Sequence, residues 1–223
     1  MTDKKWTRYA AVVLGCLLLA AWASGTLHAA DEQKVSRRVA VIPFQVVPPD
    51  EGTSTAFCPV CGNAVSAGEV AEGGQTALEE IFSDKLRELA GVDLLPSEKT
   101  AGAYQRISVD SLKQGYLQII RKVGKELKAD VVATGFVYRY RERVGYDYSA
   151  KRPASVAFEI HLISVSDGKT IWRGVYDRTQ KSLMEDIFQA SSFFKGGARW
   201  LTARQLAKLG VDETFQNFSG FEP

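Results

Sequence analysis

Two cysteines three residues apart, Cys58-Pro59-Val60-Cys61, are the residues in this chain best suited to chemistry. A pair at that spacing can close a small disulfide, work as a redox couple, or supply two ligands to a metal. A closed zinc site takes four ligands, usually from two such pairs. Beyond residue 30 the chain has only Cys58, Cys61 and one histidine, His161, so an all-protein zinc site would need carboxylates as well. Haem attachment requires His directly after the second Cys, where Gly62 stands. A thioredoxin-like couple sits at a helix start, where the helix dipole lowers a thiol's pKa, whereas this pair lies in a Gly-rich stretch. In an oxidising compartment a Cys58–Cys61 disulfide is the simplest expectation. Zinc held by Cys58 and Cys61, within one chain or shared between chains, is the alternative, and no other cofactor is expected.

Three arginines, Arg139, Arg141 and Arg143, alternate with Tyr138 and Tyr140. On a strand they would share one face and could grip carboxylates or phosphates bidentately, which marks them as partner-binding residues. An exposed row of arginines also blocks edge-to-edge strand pairing, and Glu159 on a neighbouring strand would neutralise part of it. Glu159 and His161 invite an acid/base reading, but they stand two apart with no nucleophile motif, so no catalytic residue is expected. Gly73-Gly74 could offer backbone N–H groups to a phosphate at a helix start, although a Gly-Gly step is more often a turn. The aromatic carboxy end (Phe193, Phe194, Trp200, Phe215, Phe218, Phe221) suits either core packing or a docking tail.

The elements that would carry these residues are readable from periodicity. Val39 to Phe44 is a buried first strand, ended by Pro43 and Pro48-Pro49. Pro48 to Gly74 is a long loop around the cysteines. Thr76 and Glu79 form a capping box for a helix through Leu78, Ile81, Phe82, Leu86 and Leu89, and Val92 to Pro96 is a short strand. Leu112, Tyr116, Ile119, Val123 and Leu127 mark a second amphipathic helix. Ala129 to Val144 reads as one long strand, with a polar turn from Tyr146 to Pro153. Ser155 to Val165 and Thr170 to Arg178 then alternate around an Asp167-Gly168 turn. A capping box at Ser182 opens another helix, Gly196-Gly197 follows, and a last helix from Ala198 to Leu209 is closed by Gly210. Together these predict an α/β fold, a three-layer sandwich whose mixed sheet is parallel in its first half and an antiparallel hairpin in its second, with helices on both faces.

The chain has 223 residues, 45% hydrophobic, with 28 Lys+Arg against 26 Asp+Glu. That is ordinary for one globular domain, and residues 31–223 are expected to form it. Lys4, Lys5 and Arg8 precede an uncharged stretch from Tyr9 to Ala30 containing Leu27-His28-Ala29, a secretory pattern that assigns residues 1–30 to an export signal. Removing it takes away a net charge of +2 and leaves zero, which argues against a nucleic-acid partner. Val13-Leu14-Gly15-Cys16 resembles a lipobox, although the apolar run continues past Cys16. Membrane contact is therefore expected only if Cys16 is acylated or the signal is retained, and the expected location is periplasmic, with outer-membrane association as the variant.

The order of these phrases resembles a known group. A strand ending in Pro-Phe44 after export, Ala129-Asp130 with Gly135 before the long strand, and Asp167-Gly-Lys-Thr-Ile-Trp172 in the hairpin resemble bacterial envelope proteins of the curli-secretion lipoprotein (CsgG) type. That fold is shared with the lipoprotein activators of penicillin-binding proteins and the amino-terminal domain of TolB. The resemblance covers roughly Val39 to Lys181. It implies a non-catalytic envelope protein acting through protein partners in assembly or secretion, with a homo-oligomeric ring and a metal- or thiol-dependent protein as alternatives. The Cys58/Cys61 stretch is not a general mark of those relatives, and no surplus amphipathic hairpin pair is present for a pore. The export reading predicts that protein recovered from periplasm and membrane fractions has an intact mass beginning at Ala30 or Asp31; a mass beginning at acylated Cys16 would replace it with the lipoprotein reading.

Overall fold

β-branched and apolar residues dominate the segments that form the centre of the sheet, which is why those segments are strands buried on both faces. The computed structural model describes residues 36–111, 114–181 and 199–221, all within one compact unit, Val35–Pro223. The expected export signal, Leu112, the helix expected from Ser182, Gly196-Gly197 and Phe193-Phe194 lie outside the described residues.

The strands are β1 (Arg37–Val41), β2 (Gln45–Val46), β3 (Thr55–Phe57), β4 (Ala64–Ser66), β5 (Val92–Leu94), β6 (Val131–Arg141), β7 (Val144–Tyr146), β8 (Ser149–Arg152), β9 (Ser155–Ser164) and β10 (Thr170–Thr179). The helices are α1 (Gly74–Arg87), α2 (Ser97–Asp110), α3 (Tyr116–Glu126) and α4 (Ala203–Phe215). The main sheet runs β10-β9-β6-β1-β5, with β2 also against β6. β1 is parallel to β5 and β6, whereas β6, β9 and β10 are successively antiparallel, so the expected mixed sheet is present. One face carries α1 and α4 on a core of Val39, Phe44, Phe82, Phe158, Ile160, Trp172 and Leu206. On the opposite face, Ala103 of α2 and Ile120 and Val123 of α3 pack with Ala40, Ile42, Val132 and Ile163. Beyond α3 the covering layer is a hairpin, β3–β4, lying over Phe136, Tyr138 and Ala157. The expected long loop is thus partly a second small sheet. No helix among the described residues is long and apolar enough to cross a membrane.

Several local expectations are corrected. α1 starts at Gly74 with Gly73 as its cap in the left-handed region (φ 74°), and no side chain caps it. Glu79 is instead used across the layers, accepting a hydrogen bond from the Phe44 N–H at 3.0 Å, just past Pro43. α2 was not anticipated: its buried residues are only Thr100 and Ala103, too few for a clear apolar stripe. β6 stops at Arg141, and the expected polar turn contains the β7–β8 hairpin. The register of β6 on β9 shifts between Val137 and Arg139, a bulge that leaves Tyr138 without a paired residue. The bulge inverts the alternation, so Tyr138 joins the core beneath β3–β4 while Tyr140 joins the core beneath α1.

α4 runs through Gly210 instead of ending there, and its start is a true capping box of Thr202 and Gln205. Gly210 is required by packing: a Cβ there would come within 2.6 Å of the Tyr176 ring, itself stacked on Phe158 at 5.4 Å. Phe215, Phe218 and Phe221 form a continuous ring contact with Trp172, which makes them packing residues. Helix propensity alone would make Gly210→Ala stabilising by about 1 kcal/mol. The clash reverses the sign, and the expected outcome is a loss of about 1–3 kcal/mol in urea unfolding.

Candidate functional site

A two-residue spacing on a strand puts Glu159 and His161 on the same face of β9, opposite the face that packs on α4. Glu159 has no exposed surface and His161 1%. A carboxylate in that position is costly unless charged and hydrogen-bonding groups surround it. The β3–β4 hairpin and β10 supply them. Arg173 of β10 stands beside His161 in the ladder and donates its Nε–H to Glu159 Oε1. The Cys61 thiol lies 3.1 Å from the same Oε1, and Tyr138 Oη, on the same face as Phe136, is 3.5 Å from Oε2.

The connection between β3 and β4 aims both cysteines at this point. Cys58 N–H donates to Asn63 O and Gly62 N–H to Cys58 O, each at 2.9 Å, and Gly62 takes the left-handed conformation (φ 73°) that closes the turn. Backbone N–H groups of Val60 and Cys61 favour the thiolate of Cys58, and that of Asn63 the thiolate of Cys61. Cys58 Sγ lies 3.3 Å from His161 Nε2, which is also 2.8 Å from Glu159 Oε1. The four side chains thus present Sγ, Sγ, Nε2 and Oε1 within 4.8 Å of one another. Both thiols are free, so the expected disulfide is not formed in this structure.

The electrostatics follow from these contacts. Burial opposes the thiolate of Cys58, but the hydrogen bonds from His161 and from the Cys61 and Val60 amides outweigh it and bring the thiol down to about 7. Desolvation pushes Cys61 up to about 11, helped by Glu159 and Cys58. For Glu159, burial is outweighed by His161, Arg173 and Cys61, which hold the carboxyl well below its usual range. His161 is shifted upward: burial works against the imidazolium, but Cys58 and Glu159 favour it more. In a nucleophilic triad the acid would orient the second ring nitrogen. Here thiol and carboxylate share Nε2, while the buried Nδ1 has no hydrogen-bond partner among the described residues. The arrangement at Glu159 and His161 is thus one of convergence on a single point.

The three arginines of the expected row lie in different surroundings. Arg139 is held by Asp177, Ser155 and the backbone of Ser66, with its side chain 12% exposed. The buried Nε of Arg141 has no partner among the described residues. Arg143 donates to Trp200 O and to the Asp147 carboxylate. The cause is the sheet itself: β6 lies between β9 and β1 instead of at an edge, so its polar side chains are drawn into neighbours. The expected neutralising partner, Glu159, is committed to Arg173. Gly74 N–H donates to Ala71 O, and the place of a Gly74 Cβ is filled by the Tyr140 ring at 2.8 Å, so Gly73-Gly74 is a packed turn.

Sequence patterning did not mark β7–β8. Tyr146 and Tyr148 are each 82% exposed, and the Asp147 between them is fixed twice, by Arg143 on its carboxylate and by the Trp200 N–H on its carbonyl at 2.7 Å. Arg152 pairs with Glu69 at 3.5 Å on the other side of the hairpin. The signal available in advance was Tyr-Asp-Tyr within the polar turn.

No family model matches the chain, and no curated protein matches it. Among solved structures, it is similar to a PelC dodecamer from Paraburkholderia phytofirmans at 15% identity, covering 81% of this chain and 86% of that one, with a TM-score of 0.44. It is similar to the LpoB C-terminal domain from Salmonella enterica at 13% identity, covering 68% and 88%, with a TM-score of 0.40. A third is lipoprotein GNA1162 from Neisseria meningitidis, at 13% identity, 82% and 99% coverage, and a TM-score of 0.42. The expected link to the curli-secretion type is not shown by these likenesses.

The contacts of Arg139 give the arginine row a structural role that can be measured. Arg139→Gln leaves Asp177 and Ser155 without their donor and is expected to cost about 1–2 kcal/mol in urea unfolding. An unchanged midpoint would return Arg139 to a surface role.

Proposed function

We propose that this chain is a non-enzymatic exported protein that works by recognising another protein, and that β7–β8 is its contact element. The observation that carries the reading is the Tyr146-Asp147-Tyr148 tip, two fully presented aromatics on a base fixed by Arg143 and Trp200. Tyrosine supplies large contact area at small entropic cost, and a base already ordered removes part of the cost of binding. Val144, 45% exposed, extends the apolar surface, and Lys151 and Arg152 give it a cationic flank. Such a surface fits a protein patch with acidic residues around an apolar centre.

The sandwich supports this role by being rigid behind the tip. Ala154 and Val156, immediately after β8, have no exposed surface and belong to the core beneath α1 and α4. A homo-oligomer is the alternative occupant of the same surface.

Photo-crosslinking from position 146 or 148 in cells, with Asp84 on α1 as the control position, distinguishes the two. The expected outcome is one discrete adduct with a different protein, common to both tip positions, and lost when the other tyrosine is changed to Ala with the thermal midpoint unchanged. An adduct containing two copies of this chain assigns the tip to self-assembly, and no adduct from either position removes the reading.

A further inference from the structure

We propose that Cys58, Cys61, His161 and Glu159 bind one zinc ion, which ties the β3–β4 hairpin to the centre of the sheet. The site is independent of the tyrosine tip and does not require the recognition role.

The first argument is donor chemistry. Two thiolates, one imidazole and one carboxylate are a borderline-soft set, which suits zinc over calcium or magnesium and lacks the four thiolates of an iron–sulfur centre. The second is geometry. Neighbouring ligand atoms around a tetrahedral zinc stand roughly 3.3–3.8 Å apart, given metal–ligand bonds of about 2.0–2.3 Å. Three of the six pairs, at 3.3 Å (Cys58 Sγ to His161 Nε2), 3.1 Å (Cys61 Sγ to Glu159 Oε1) and 2.8 Å (Nε2 to Oε1), are already near that spacing, and the other three lie within 4.8 Å. Outward shifts of up to about half an ångström on the first set and inward shifts of up to roughly an ångström on the second would close the site. The third is the cysteine turn, closed by Cys58 N–H to Asn63 O and Gly62 N–H to Cys58 O at 2.9 Å each, which holds both sulfurs toward His161 and Glu159.

Charge closes the argument. Two thiolates and a carboxylate with Zn²⁺ carry a net −1, and Arg173, already bonded to Glu159, brings the buried assembly to zero. Arg173 thereby acts as the outer partner that orients the carboxylate ligand. Binding releases whatever protons the thiols and His161 hold and changes no oxidation state. The metal would join residues about a hundred positions apart, Cys58 to His161, across two layers of the fold. The hairpin would then depend less on its small apolar contacts.

The test is metal content and cobalt spectroscopy on the full chain, purified without chelator and with reductant. The expected result is one zinc per chain that survives gel filtration. Cobalt replacement should give a near-ultraviolet thiolate charge-transfer band and the strong visible bands of a tetrahedral site. Cys61→Ser, an exposed turn position, and Glu159→Gln should each weaken zinc binding by more than the roughly 10- to 100-fold that an outer-partner change costs. Near-ultraviolet circular dichroism of Cys61→Ser should match the parent, which separates lost ligation from lost folding. The proposal is overturned if the folded, reduced parent takes up no zinc or cobalt, or if both variants bind as tightly as the parent. Isolation of the protein from its own compartment metal-free and two hydrogens lighter, with Cys58 bonded to Cys61, overturns it as well.

Discussion

A carboxylate with no exposed surface, placed in the middle of a β-sheet, is the constraint around which this molecule is arranged. Glu159 lies on β9 between β6 and β10, where an unpaired negative charge would cost several kcal/mol. Arg173 from one neighbouring strand, Tyr138 from the other and Cys61 from above all reach it, and His161 two residues on shares its oxygen. These contacts come from separate elements: Arg173 from β10, Tyr138 from the bulge in β6, and Cys61 from the turn between β3 and β4. An apolar residue at 159 would remove the Cys61 contact and leave the hairpin held by its small core, the Cys58–His161 contact, the Arg139 bond to Ser66 O and the Gly68 N–H bond to Tyr138 O.

The bulge in β6 connects this polar centre to the rest of the sheet. Tyr138 stays with Phe136 on the side of the cluster, and the displaced pairing beyond it sends Tyr140 to the packing under α1, where Gly74 has no side chain to obstruct the ring. The same shift sends Arg139 toward Ser66 on β4 and Asp177 on β10, so the guanidinium crosses three strands and seals the side of the hairpin. Arg139, on an inner strand, is a structural tie. The recognition proposed above falls to the segment that leaves the sheet, β7–β8, whose tip is held by Arg143, the last of the row.

The two functional features are built on different principles. The cysteine turn is aimed inward and is completed by groups from distant strands. The tyrosine tip is aimed outward and depends on its base being ordered before anything binds. Both hang from β6 and β9, the two longest buried strands, so a change that loosened this pair would disturb both at once.

Periodicity alone was enough to place the main strands, α1, α3, the β9–β10 hairpin and the mixed sheet, because alternation and helical spacing report which side of an element is buried. The inward direction of Val156, Phe158, Ile160 and Leu162 and the chemical promise of Cys58 and Cys61 were legible for the same local reason. The bulge at Tyr138, the helix α2 with its weak stripe, and Gly210 as a packing residue in mid-helix were not, since each is decided by a neighbour distant in sequence. The sequence could say that a zinc site built on two cysteines and one histidine would need a carboxylate, but not which one. That choice belongs to the tertiary structure: strand pairing alone places Glu159 and His161 under a turn about a hundred residues earlier, and register between strands is a property of the assembled sheet.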